Sequence, residues 1–207
     1  MNQMMTPKNF WQVIEDRRSV RQFTGQPVEK ALIEIVLRTG TRAPNAHNRQ
    51  SWRFAVLTDK ADMARMAEAM GQDYQQALLE SGMPPDEVAV RAQKRVERLT
   101  GAPVVVVICV DTNDLDGYTD LNRDSGEYLM AVQSAALAGG HMLLAAQALG
   151  LVGAWLCGPL FAPDKVRSSL NLPASWRAQG MLLIGYADES PEFRGRKPLD
   201  EIIRWIG

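Results

Sequence analysis

Ala131-Val132-Gln133-Ser134-Ala135-Ala136-Leu137-Ala138-Gly139-Gly140-His141-Met142-Leu143-Leu144-Ala145-Ala146-Gln147-Ala148-Leu149 contains no charged side chain. It opens an almost uncharged stretch, Ala131 to Phe161, long enough in principle to span a bilayer. Gly139-Gly140, Gly150, Gly153, Gly158 and Pro159 cut that stretch into pieces, and Gln133, His141 and Gln147 punctuate it. The pattern predicts a buried helix from Ser125 to Leu149 followed by a short strand, Gly153 to Leu156, rather than a membrane span. Ala131, Ala135, Ala136, Ala138, Gly139 and Gly140 allow another backbone to approach closely. A helix this long with so little polar surface must be covered on every side. A helix-to-helix contact between two copies does that more easily than one domain alone, so a homodimer is expected.

On either side of that helix the chain alternates between helical and extended patterns. Val104 to Val110, after Pro103, is a continuous apolar run typical of a fully buried strand. Trp52 to Leu57 alternates as a strand does, and Met181 to Ile184 supplies another. Thr6-Pro7 offers a cap and first-turn proline for a helix carrying Phe10, Val13, Ile14 and Arg17 at helical spacing. Val28 to Leu37 is a second amphipathic helix, stopped by Gly40. Asp59 to Gly71 reads as helix with Met63, Met66 and Met70 as core filler. Residues 72–100 read as two further helices broken at Ser81-Gly82-Met83-Pro84-Pro85, and Asp111 to Asp124 as a loop. Long helices around a few short strands give an α+β sandwich, a single domain over residues 1–207.

The totals narrow the function. The chain has 207 residues, 46% apolar and 23% charged, with a formal net charge of −1. A nucleic-acid binder would need a basic stripe that this balance does not provide. Cys109 and Cys157 form no CxxC pair, so neither a disulfide framework nor a metal site is expected. Neither His47 nor His141 lies in a nucleophile motif. The start lacks a secretory pattern, and a cytoplasmic location is the expectation.

Against this near-neutral background two basic clusters stand out: Arg17-Arg18-Ser19-Val20-Arg21 and, near the other end, Arg194-Gly195-Arg196-Lys197-Pro198. Arginine forks match phosphate oxygens in pairs, and a serine hydroxyl adds a donor. No GxGxxG follows a strand, and no Gly-Lys follows Gly153 to Gly158, so Rossmann and P-loop sites are excluded. Side-chain recognition of one terminal phosphate remains. The plainer reading, arginines complementing a helix C-terminus, is worth roughly 0.3–1 kcal/mol each. It accounts for one arginine, not three with a serine and a distant second set.

Four stretches carry a resemblance: Arg17-Arg18-Ser19-Val20-Arg21-Gln22-Phe23, Ala43-Pro44-Asn45-Ala46-His47-Asn48-Arg49-Gln50-Ser51-Trp52, Gly150 to Pro159, and Arg196-Lys197-Pro198-Leu199-Asp200-Glu201. In this order they resemble the FMN-dependent nitroreductase family. The wording is nearest to the flavin-binding C-terminal domain of the bifunctional γ-glutamyl ligase that matures a deazaflavin coenzyme. The resemblance implies a central, mostly antiparallel sheet flanked by helices, in an intertwined homodimer with FMN at the interface. Arg17, Arg18, Ser19 and Arg21 would hold the phosphate, ribityl chain and pyrimidine edge. Arg196, with Arg194 or Lys197, would complete the phosphate clamp. Pro44, Asn45, Ala46, Asn48 and Gln50 would come from the other subunit. Leu156, Cys157 and Gly158 would lie along the flavin ring.

The resemblance further implies NAD(P)H as reductant and a small-molecule acceptor (a nitroaromatic, quinone or conjugated compound) in a ping-pong cycle. A dehydro precursor of the deazaflavin coenzyme is the narrower alternative, and a flavin-sequestering protein is the rival from another class. No catalytic side chain is named. Ser51 stands where many members have proline, and Cys157 where some have glutamate. Cys157 is expected to be a small buried residue, since no basic partner adjoins it. Residues 72–123 are expected to cap the site, with Tyr74 or Tyr118 as candidates to touch the acceptor.

Overall fold

The strand β2 (Val104–Asp111) is buried along its whole length because both of its faces are covered. The computed structural model describes residues 9–207, with the backbone alone at position 73. Side chains alternate across a strand, and here the two sets enter different cores. Val104, Val106, Ile108 and Val110 pack with residues of helices α2 (Lys30–Gly40) and α5 (Leu121–Ala148). Val105, Val107 and Cys109 pack with residues of α3 (Lys60–Glu80), α4 (Pro85–Gly101) and α6 (Pro163–Ser169). With β1 (Trp52–Leu57), β3 (Val152–Leu156) and β4 (Trp176–Gly185) the sheet has the order β1-β2-β4-β3, each neighbouring pair antiparallel. Two short helices, α1 (Phe10–Asp16) and α7 (Leu199–Ile202), lie near the ends of the chain. The α+β architecture read from the sequence is the observed one.

The uncharged run lies within α5. Its inner face, including Ala131, Ala135, Ala138 and Met142, is buried against the sheet and α2. Its outer face repeats at helical spacing through Leu129, Gln133, Leu137 and Gly140, all exposed in the single protomer. Helix α5 starts earlier than expected because Asp120 caps it, accepting the Arg123 N–H at 2.8 Å.

Other boundaries also differ from expectation. Helix α3 does not stop at Gly71 but runs on to Glu80, so residues 72–100 add one new helix rather than two. A Cβ at Gly71 would come within 2.3 Å of Arg95 Nη1 on α4; this glycine makes room between helices. Strand β4 begins at Trp176 rather than Met181, since Arg177 and Gln179 hid its start. Helix α1 is capped by Asn9 in a capping box with Gln12, whereas Thr6-Pro7 lies outside the described residues. Met63, Met66 and Met70 are core residues as expected.

Candidate functional site

The first basic cluster is fixed by the end of α1. Arg17 leaves helical geometry, its N–H still donating to the Val13 carbonyl, and the next residues run extended. Val20 is the inward anchor at 2% exposure, and its N–H donates to the Gly153 carbonyl at 3.2 Å. Ser19 bridges Gly153 in parallel, and Phe23 bridges Ala187 in antiparallel register. A Cβ on Gly153 would lie 2.5 Å from the Leu183 carbonyl oxygen, so the docking point needs glycine.

The second cluster is drawn to the first by one carboxylate. Glu189 Oε1 accepts the N–H of Arg21 at 2.7 Å and of Gln22 at 3.1 Å, while Asp188 N–H donates to the Gln22 carbonyl. The chain then turns at Gly195, whose φ of 75° is the left-handed region that glycine occupies freely. Arg17, Arg18, Ser19 and Arg21 thereby share one cleft of about 860 Å³ with Arg194 and Arg196. Two guanidiniums stack near the Phe193 ring, Arg18 Cζ at 4.7 Å and Arg196 Cζ at 5.4 Å from its centroid. Burial, and then the charges of Arg196 and Arg18, hold Arg17 below the usual arginine range. Among the described residues no carboxylate forms a salt bridge with these arginines. Such an arrangement suits an anion. The plainer reading keeps part of its ground: Arg18 Nη1 donates to the Glu15 carbonyl in the last turn of α1 and to the Arg17 carbonyl at 3.1 Å. Lys197 does not line the cleft; Arg194 takes the place that the sequence left open between them.

The loop holding Pro44, Asn45, Ala46, Asn48 and Gln50 is elsewhere in the protomer, against the N-terminal half of α5. Ala46 N–H donates to Ser134 Oγ at 3.2 Å, and Gln50 N–H to Asn45 Oδ1 at 2.9 Å. Arg49 Nε lies 3.1 Å from the buried Glu127, and Arg49 also bonds Asp116. His47, Asn48 and Gln50 all have φ near +50°, a left-handed conformation that costs non-glycine residues on the order of 1 kcal/mol or more each. None of these loop residues lines the arginine cleft of its own chain.

Leu156 ends β3, and Cys157 and Gly158 follow it. Cys157 is exposed, which corrects the expectation of a buried residue: β3 ends just before it, and its Sγ accepts the Trp155 Nε1–H at 3.2 Å. The buried cysteine is Cys109, its thiol pushed up to about 12 by burial. Tyr74 lies under Arg95, whose Cζ is 5.1 Å from the ring centroid, and does not line the arginine cleft. Tyr118 shares a hollow with His47 and Gln133 beside the strained loop. The sequence reading also passed over Lys94 and Arg98 on α4, which line the arginine cleft. Their signal was available, since Arg91, Lys94 and Arg98 recur at one helical face.

A model of the family described as the Nitroreductase family matches residues 14–186. The chain belongs to the Nitroreductase family. Among curated relatives, a nitroreductase-like resemblance extends to an NADH dehydrogenase of Thermus thermophilus, 26% identical over 91% of this chain and 92% of that protein. Among solved structures, a BluB-like flavoprotein from Clostridium difficile 630 superposes with a TM-score of 0.80 at 24% identity, covering 97% of this chain and all of the other. The NADPH:FMN oxidoreductase of Vibrio harveyi, solved with NAD+, gives 0.73 at 21% identity over 96% of this chain and 77% of its own. These structural likenesses fix the nitroreductase fold.

Proposed function

We propose that this nitroreductase-family chain is an FMN-dependent oxidoreductase that uses NAD(P)H to reduce an organic acceptor, with each flavin shared between two protomers. The observation that carries this reading is the convergence of Arg17, Arg18 and Arg196 around Phe193. A phosphomonoester carries roughly 1.5 to 2 negative charges, which two or three guanidiniums neutralise. Ser19 adds a hydroxyl beside them. From Gly153, where Ser19 docks, to Cys157 is four residues, about 13 Å of extended chain. That length suits a ribityl chain leading to a ring lying along Leu156, Cys157 and Gly158.

The second protomer follows from the outer face of α5. The loop at 44–50 touches that helix near Ser134, whereas Arg17 shares a hollow with Gly140, His141 and Leu144 at its other end. Leu129, Gln133 and Leu137 continue the stripe between and beyond them. A two-fold axis crossing the stripe near Leu137 exchanges its ends, setting the loop of one protomer beside the arginines of the other. Asn45, Asn48 and Gln50 would then close over the flavin from the partner side. Exposed apolar residues near both ends of the chain, Trp11 and Trp205 among them, are suited to an intertwined dimer.

FMN supplies the two-electron chemistry when bound, and the chain binds, orients and shields it. The guanidiniums anchor the phosphate, the partner loop excludes water, and the backbone at 156–158 presents its N–H groups along the ring. The test is the spectrum of freshly purified protein. Bound flavin whose band bleaches with NADH or NADPH, and parallel initial-rate lines with a quinone or nitroaromatic acceptor, support this reading. Flavin that never bleaches indicates sequestration, and a colourless protein that takes up no FMN overturns both. The dehydro precursor of a deazaflavin coenzyme belongs in the same acceptor panel as the narrower substrate.

A further inference from the structure

The arginine cleft holds more positive charge than one flavin phosphate needs. Among the described residues seven cationic side chains line it against four carboxylates, and two of those carboxylates are already engaged. Glu189 accepts the two backbone N–H groups named above, and Glu97 accepts Gln93 Nε2–H at 3.0 Å. A bound phosphomonoester of roughly −1.5 to −2 leaves the wall still positive.

The surplus has a definite place. Val152 pairs with Gly185 and Gly153 with Ile184, so the chain beyond β4, where Ala187 bridges Phe23, continues away from Cys157. A Cβ on Gly185 would lie 2.6 Å from Pro103 Cδ and 2.8 Å from Phe23 Cδ1, which puts the C-terminal end of α4 at this same end of the sheet. Arg98, in the last turn of α4, therefore lies at the end of the cleft away from the 156–158 segment, and Lys94, one turn before it, lines the same cleft. Arg98 in the last turn complements the helix dipole, but that accounts for neither Lys94 nor its alignment with Arg91. Among the described residues neither Lys94 nor Arg98 forms a salt bridge.

We propose that Lys94 and Arg98 form a second anion subsite in the cleft, which takes the further phosphate of a nucleotide: the 2′-phosphate of NADPH. This rests on the flavin reading above and deepens it by assigning reductant choice to α4. The adenylate phosphate of a flavin dinucleotide, a singly charged diester rather than a monoester, is also an anion that could sit there, so the experiment separates the two sources.

The variant is Lys94→Ala with Arg98→Ala, both on the solvent side of α4, with helix content and thermal midpoint as folding controls. NADP+ and NAD+ are titrated by equilibrium dialysis into FMN-loaded protein, and FMN and FAD into flavin-free protein. The expected result is an approximately tenfold loss of NADP+ affinity, about 1.4 kcal/mol, with NAD+ and FMN binding unchanged. That loss should shrink as salt is raised. A loss confined to FAD supports the subsite and assigns it to the flavin's adenylate phosphate. Equal losses for NADP+ and NAD+, a loss for FMN, or no change in any ligand overturns the proposal. Absence of FMN binding by the unaltered protein, by contrast, is a failure of the flavin reading itself.

Discussion

The arginine cleft and the 44–50 loop hold polar groups ready in opposite ways. In the cleft the backbone is relaxed: Arg17 to Arg21 run extended, and the second cluster turns on a glycine. Its stored cost is electrostatic: the Arg17 guanidinium is partly buried and, after that, feels the charges of Arg196 and Arg18, brought into one cleft by segments far apart in sequence. In the loop the charges are paired, Arg49 with Glu127 and Asp116, and the cost lies in a backbone that turns left-handed at three non-glycine residues. Each region is therefore matched to a different kind of counterpart. Repelling cations are relieved by an anion, whereas a strained, hydrogen-bonded loop presents a rigid surface to another body. On this account the body is the flavin held by the neighbouring protomer.

The largest effect is expected where the two regions depend on the same contact. Leu137→Glu places like charges across the proposed axis, a juxtaposition that costs several kcal/mol. Sedimentation should show a folded monomer, and flavin should be lost although neither the arginines nor the loop has changed. A dimer retaining FMN would detach both regions from the α5 stripe. A smaller effect is expected from Arg196→Ala, which removes one charge-assisted partner. FMN affinity should fall by roughly 1.5–3 kcal/mol in a fluorescence titration, with the dimer and thermal midpoint intact. Unchanged affinity would show the cleft to be no phosphate site. The smallest effect belongs to the loop. His47→Gly relieves one left-handed residue and should raise stability by about 0.5–1 kcal/mol, read as a higher thermal midpoint. No gain would mean that the strain assigned to the loop is not there.

The sequence made some of this legible and not the rest, for physical reasons. Val104 to Val110 could be read because a strand covered on both faces must be apolar at every position. The uncharged run could be read as one helix because its apolar residues recur at helical spacing, with only its inner face buried in the protomer. Gly71 misled because a glycine that makes room for Arg95 looks the same in sequence as one that ends a helix. Lys197 could not be told from Arg194, since the choice depends on where Gly195 turns the chain. Exposure of Cys157 was hidden even though the strand end at Leu156 was read correctly, because whether the next residue is covered depends on what packs over it from elsewhere in the chain. The loop strain left no mark beyond its asparagines, and the resemblance, not the composition, pointed to those residues.

The claim that the flavin site is divided between two chains is tested most directly by mixing two inactive variants. One carries Arg17→Ala with Arg196→Ala, the other Asn45→Ala, Asn48→Ala and Gln50→Ala, and neither alone should retain FMN. If arginines of one protomer work with the loop of its partner, each mixed dimer contains one undamaged site and should recover one FMN per dimer. If each site lies within a single chain, every site in the mixed dimer is damaged and no flavin returns, which would contradict the account.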